Sequence, residues 1–249
     1  MRILVLIAVL LSAASPAPAA EALVAVATNF LGPARALAED FRRETGDEIT
    51  LVSGSTGKLA AQILQGAPYD AFLAADQARP AMLVEEGAAH PDSRFTYARG
   101  RLALWSRDPA RIGEDGAAAL AAGDVRRVAL ANPALAPYGV AAEQAIAALG
   151  LAGALADKLV LGENVGQAQA MVATGNAELG FVALAGLTGP EGEAGGSRWL
   201  VRQALHDPIR QDAVLLARAD PGGAAARFLD YLKGEPARAL IAAHGYGLD

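Results

Sequence analysis

Short apolar runs alternate with amphipathic stretches along most of the chain. A buried strand is predicted over 23–27, followed by a helix from Pro33 to about Thr45 that gathers Leu37, Ala38 and Phe41 on one face. Pro33 suits a first helical turn, and Gly46 supplies the stop. The pattern then predicts a strand over 48–52, a helix over 55–65 closed by Gly66, a short strand over 71–74, and a helix over 79–86 ended by Gly87. Strands and helices alternating at this pace form a mostly parallel sheet flanked by helices, an α/β arrangement.

Residues 94–107 break the rhythm with a β-rich stretch that contains no helical period and suits an extended crossing segment. A second α/β set follows, with strands over 125–130, 158–161 and 179–183 and helices over 138–149 and 165–174. After an acidic, Gly-rich surface loop at 188–196 come strands over 199–201 and 213–217, then helices over 222–232 and 236–244. The expected molecule has two lobes and a cleft: residues 21–102 with 210–249 in lobe 1, and 103–209 in lobe 2.

The N-terminus adds a destination. Met1-Arg2, an apolar run to Leu11 and Ala17-Pro18-Ala19 have the layout of a secretory signal peptide over 1–20. The run is too short to span a bilayer. A soluble periplasmic protein of roughly 230 residues is expected, enough for one large domain or two lobes. The chain has no cysteine, so disulfides and thiolate metal sites are excluded, and its formal net charge of −6 argues against nucleic acid as a partner. An anionic ligand would have to be captured by local dipoles.

The stretch 51–63, LVSGSTGKLAAQI, offers such a dipole. A strand runs into a helix through Ser53-Gly54-Ser55-Thr56-Gly57, and a helix N-terminus presents unpaired N–H groups and partial positive charge to an anion. The competing reading is an ordinary hydroxyl cap, which this stretch alone favours. Gly57-Lys58 does not complete a phosphate-binding P-loop, because Val52 and Leu59 occupy the required glycine and hydroxyl positions. Turns of similar character occur at Thr28-Asn29, Pro137-Tyr138 and Asn164-Val165, all at expected carboxyl ends of strands or starts of helices, where open α/β sheets bind ligands.

An enzyme is not expected. His90, His206 and His244 are scattered, no nucleophile elbow is present, and Asp76 and Asp70 read as a helix cap and a loop residue. Tyr138, between Pro137 and Gly139, reads as either a site residue or a tyrosine packed on the loop surface. Val165 could contribute only a backbone N–H, against the plainer reading of packing.

Taken together, AVATNFLGPARALAEDF, SGSTGKLAAQILQGAPYDAFLAADQARP, SRFTYARGRLALWS, ANPALAPYGVAAEQAIAALG, ENVGQAQAMVATGNAELGFVAL and FLDYLKGEPARALIAAHGY make the chain similar to the periplasmic molybdate-binding proteins of ABC transporters. GAPYDAFLAAD, with the PYG and NVGQ turns in order, is the specific part. The resemblance implies a two-lobed type II periplasmic binding fold that holds molybdate or tungstate in the cleft through neutral donors. It implies no catalytic residue, no cofactor and no metal ligand in the direct sense, since molybdenum is bound as its oxyanion. The implied ligand-binding residues are Thr28, Asn29, Ser55, Thr56, Tyr138 and Val165, with Tyr138 and Val165 acting through backbone N–H groups. Ala183 stands where one branch of the family carries a tyrosine, and Asn29 is expected to replace that donor with its side chain. The implied partner is an inner-membrane ABC permease and the expected state a monomer. Sulfate is the competing ligand and a bilobal α/β enzyme the competing class.

Overall fold

The computed structural model describes residues 19–188 and 194–248. The signal-peptide expectation falls almost wholly outside them, as does the centre of the loop expected at 188–196.

The first set of elements is β1 (Glu21–Ala27), α1 (Leu31–Thr45), β2 (Glu48–Gly54), α2 (Thr56–Leu64), β3 (Ala71–Leu73), α3 (Ala78–Glu85) and β4 (Phe95–Gly100). The second is β5 (Leu102–Ser106), α4 (Gly116–Ala121), β6 (Val128–Ala131), α5 (Pro137–Ala148), α6 (Ala152–Leu155), β7 (Leu159–Gly162), α7 (Val165–Ala173), β8 (Leu179–Ala183) and β9 (Ser197–Leu200). The chain then returns through β10 (Ile209–Leu215) to α8 (Ala224–Tyr231) and α9 (Glu235–Ala243).

These strands form two sheets, ordered β2-β1-β3-β10-β4 and β7-β6-β8-β5-β9. In each sheet three consecutive strands are parallel, and the crossing strands add antiparallel pairings: β10 with β3 and β4, β5 with β8 and β9. The result is the two-lobed type II arrangement, each sheet mixed and flanked by helices.

Both faces of each sheet are covered, which explains the nearly unbroken apolar runs. Alternate side chains on β1 go to opposite cores. Val24 and Val26 pack with Phe41, Phe228 and Ile241, while Ala25 packs with Leu59, Phe72 and Leu83. The second lobe repeats this on β5, with Leu102 and Leu104 on one side and Ala103 and Trp105 on the other. Gly46 ends α1 in the left-handed region at φ 82°, where a glycine carries no Cβ penalty.

The expected crossing stretch at 94–107 is two strands rather than one. β4 and β5 belong to different sheets and meet at Arg101. β10 begins at Ile209, earlier than expected, because the buried polar residues Gln211 and Asp212 interrupt its apolar pattern. Helices α4 and α6 were not expected. Alanine and glycine give α4 little amphipathic signal, and its start is fixed by Asp115, whose carboxylate accepts the Ala117 N–H at 2.9 Å.

Candidate functional site

Ala27, Gly54, Ala131 and Gly162 end β1, β2, β6 and β7, and the turns that follow these strands converge on one small pocket between the lobes. Thr28, Asn29, Ser55, Thr56 and Ala75 line it from lobe 1, and Ala136, Pro137, Tyr138, Asn164 and Val165 from lobe 2. Its cavity volume is about 10 Å³, room for about one water molecule and far below the roughly 300–1,000 Å³ of pockets that take drug-sized ligands. All the sequence-predicted site residues lie on it. Among the described residues, those lining the pocket carry no formal charge.

Ser55 decides between the cap and anion readings of the α2 turn. It occupies the N-cap position with extended backbone (φ −69°, ψ 146°), yet its side chain caps nothing. Its Oγ is buried and, among the described residues, is the one buried side-chain polar atom without a hydrogen-bond partner. A buried hydroxyl normally finds a partner, so an orphan aimed into a pocket points to a ligand. Thr56, 1% exposed, has an Oγ1 that accepts the Ala75 N–H at 3.2 Å, which leaves its own proton free to donate. Thr28 is differently placed: its hydroxyl donates to Gly54 O at 3.0 Å, tying β1 to β2.

The second lobe contributes two more helix starts. α5 opens at Pro137 with no side-chain cap, so Tyr138 presents a first-turn N–H. In α7, Asn164 caps the Gln167 N–H at 3.0 Å and leaves the Val165 N–H, one residue into the helix, unclaimed by the cap. Three helices of eight residues or more therefore direct their N-termini at one pocket, where their partial positive charges add.

One expectation about a side chain is corrected, and one open alternative is removed. Asn29 does not offer its carboxamide to the pocket, because Nδ2 donates to Gln211 Oε1 at 2.9 Å and to the Tyr246 hydroxyl at 3.1 Å. Both amide protons are committed, and only the Asn29 backbone N–H remains. Nor does Tyr138 pack on a loop surface. It is 2% exposed, and its phenol crosses to lobe 1, where Gln211 Nε2 donates to it at 3.4 Å. Ala183, at the end of β8, packs in the core with Tyr138 and Val165 and contributes no polar side-chain atom.

These side chains belong to a buried polar network that sequence reasoning missed. Tyr97 donates to Gln211 Oε1 at 3.0 Å, and the Tyr246 hydroxyl donates to Asn29 O at 2.7 Å. Phe30 stands beside it, in edge contact with Tyr97 at 4.7 Å and Tyr246 at 5.3 Å, which fixes the Thr28–Phe30 turn. Burial above all raises the Tyr97, Tyr138 and Tyr246 phenols well beyond their ordinary range, so the network stays neutral. A bulge between Gln211 and Asp212 marks the β10 position, but only a polar pair in an apolar run hinted at it in the sequence.

The lobes are closed over the pocket and joined at its rim. The Gly57 N–H donates to Leu135 O at 2.9 Å, and Arg79, paired with Asp76, donates to Ala134 O at 3.4 Å. Gly57 eases this approach, since a Cβ would make a tight 3.1 Å contact with Leu135 O. Lys58 reaches Glu163 at 3.3 Å on the outer surface, away from the pocket.

The other candidate groups are occupied elsewhere. Asp76 accepts the Arg79 N–H at 3.0 Å, as the cap reading anticipated, and Asp70 accepts the Leu23 N–H at 2.8 Å and pairs with Arg218. His90, His206 and His244 each contact a backbone carbonyl, at Ala219, Asp207 and Leu240. What converges on the pocket is a set of hydrogen-bond donors. Such a set recognises a small, fully deprotonated anion.

Comparison with known proteins agrees with this geometry. The family model of bacterial extracellular solute-binding proteins matches residues 22–247. A molybdate-binding protein of Azotobacter vinelandii is 47% identical over 235 residues, covering 94% of this chain and 93% of the relative. One from Rhodobacter capsulatus is 45% identical over 240 residues, covering 96% and 93%. The solved periplasmic molybdate-binding protein of A. vinelandii superposes with a TM-score of 0.88 at 41% identity, covering 92% of this chain and 99% of that one. The resemblance carried by the sequence motifs is thereby borne out: the chain belongs to the bacterial extracellular solute-binding protein family, with the two-lobed type II fold.

Proposed function

We propose that this protein captures molybdate, or the nearly isosteric tungstate, in the periplasm and presents it to an inner-membrane ABC permease, acting as a monomer and without catalysis. The observation that carries the reading is the buried, unpartnered Ser55 Oγ beside the uncapped start of α2, in a neutral pocket that also receives first-turn N–H groups from α5 and α7. The names of its relatives supply the identity of the anion. In this reading Thr28 shapes the pocket through its bond to Gly54, and Asn29, Tyr138 and Val165 donate from the backbone. Ser55 and Thr56 donate from their hydroxyls.

A dianion can leave water without a countercharge when several oriented donors replace its hydration. Each charge-assisted hydrogen bond contributes about 1.5–3 kcal/mol. The donors belong to both lobes, so only the closed form completes the shell, and the anion favours closure by its differential affinity for that form. Calorimetric titration with molybdate, tungstate, sulfate and phosphate in parallel tests the reading. Strong binding of the first two with weak binding of the others is expected. Sulfate binding as tightly as molybdate would contradict the assignment and leave a general oxyanion binder.

A further inference from the structure

Tyr138 has two ends with different destinations. Its backbone N–H opens α5 at the pocket, while its phenol leaves lobe 2 and enters a buried cluster that belongs to lobe 1. There Gln211 Nε2 donates to the hydroxyl at 3.4 Å, with the Tyr246 phenol close by. Gln211 is fully buried, held by Tyr97 and Asn29, and re-aimed by the β10 bulge. The slot for the phenol is cut by Gly100 at the end of β4, where a Cβ would overlap both the Tyr138 hydroxyl and Gln211 Nε2. Nothing in the hydrogen bonding of lobe 2 itself requires this phenol.

We infer that the Tyr138 phenol is a cross-lobe bolt: it seats between Gly100, Gln211 and Tyr246 only when the cleft closes, and so positions the anion-binding N–H of the same residue against the donors of lobe 1. The inference rests on the anion reading above and extends it to a side chain that does not touch the ligand. On opening, the phenol withdraws, and water can reach Gln211 and the hydroxyl groups. On closing without the hydroxyl, Gln211 Nε2 is buried with a donor left unpaired. That penalty falls on the closed form alone and therefore appears in the rate at which ligand escapes. The network also reaches the pocket from the other side, since the Tyr246 hydroxyl holds the carbonyl of Asn29.

The test uses the mature chain and two variants, Tyr138→Phe in lobe 2 and Gly100→Ala in lobe 1. Molybdate association and dissociation rates are measured by stopped flow, and melting temperatures are measured without ligand. Both variants are expected to release molybdate faster than wild type, with association rates unchanged. For Tyr138→Phe the change is about tenfold, the cost of one buried unpaired donor, at an unchanged ligand-free melting temperature. The Gly100→Ala Cβ also meets Gln211 Nε2 inside lobe 1 and lowers that temperature. Dissociation at the wild-type rate in either variant would overturn the bolt while leaving the anion reading intact. A lower melting temperature with unchanged dissociation would assign the phenol to packing and overturn the bolt as well. Wild-type protein that fails to bind molybdate overturns both readings.

Discussion

At Ser55 stability and binding pull in opposite directions. In the closed form an unpaired buried hydroxyl costs about 1–3 kcal/mol of desolvation, and the same group becomes a charge-assisted donor when an anion fills the pocket. Ser55→Ala should therefore weaken molybdate binding by about 1.5–3 kcal/mol, roughly ten- to a hundredfold in Kd. Thr56→Ala should weaken binding by a similar factor but also lower stability, because the Ala75 N–H loses its acceptor. Lys58→Ala should matter less than either, since its ammonium faces Glu163 outside the pocket. Calorimetry on the three variants checks the order, and Lys58→Ala as the worst of them would contradict a neutral-donor site. Ser55 and Thr56 were legible in the sequence only together with the other turns and the family resemblance, because a hydroxyl pair at a strand-to-helix junction is by itself more often an ordinary cap. Gln211 and Tyr246 were not. Their roles depend on partners 182 and 217 residues away along the chain, and no local pattern encodes such a pairing.

Among the elements, the starts of α2, α5 and α7 act together, and the geometry between them sets which anion fits. Molybdate and sulfate carry the same charge, so discrimination falls to the size of the donor shell. Pro137 fixes the entry to α5 next to Tyr138. Loosening it with Pro137→Gly should erode the preference for molybdate over sulfate more than it lowers overall stability. A pair of titrations on that variant checks this, and an unchanged affinity ratio would show that the size filter does not depend on the α5 entry. The helix starts were readable from Pro, Gly and hydroxyl punctuation, and the parallel strands from their apolar runs. The crossing strands were harder. β4 and β5 follow one another with only Arg101 between them, so a change of sheet leaves no turn signal, and the polar pair Gln211-Asp212 hid the first half of β10.

For the molecule as a whole, ligand and closure are linked, which makes thermal stability a readout of binding. Molybdate at about 100 times its Kd should stabilise the folded protein by about 2.7 kcal/mol. For a chain of this size that is a rise of about 5–10 °C in Tm, with sulfate at the same concentration giving much less. The neutrality of the site leads to a second expectation. Among the described residues no carboxylate or histidine lines the pocket, and burial holds the Tyr97, Tyr138 and Tyr246 phenols far above neutrality, so the site is expected to take up or release no proton on binding between about pH 6 and 9. Affinity measured across that range should be flat, and a tenfold drift would reveal a titrating group in the shell. The two-lobe plan itself was legible because two α/β sets are separated by an extended stretch. The closed arrangement was not, since contacts such as the Gly57 N–H to Leu135 O join residues that local patterning treats as independent turns.

The most direct test of the neutral, two-lobed donor shell is a crystal structure of the mature protein with molybdate bound. The anion should sit against Ser55 Oγ and the first-turn N–H groups of α2, α5 and α7, with donor–oxygen distances of about 2.7–3.1 Å and no Lys or Arg nitrogen in contact. Molybdate found instead against Lys58 or Arg79, or held by groups of one lobe alone, would contradict the account.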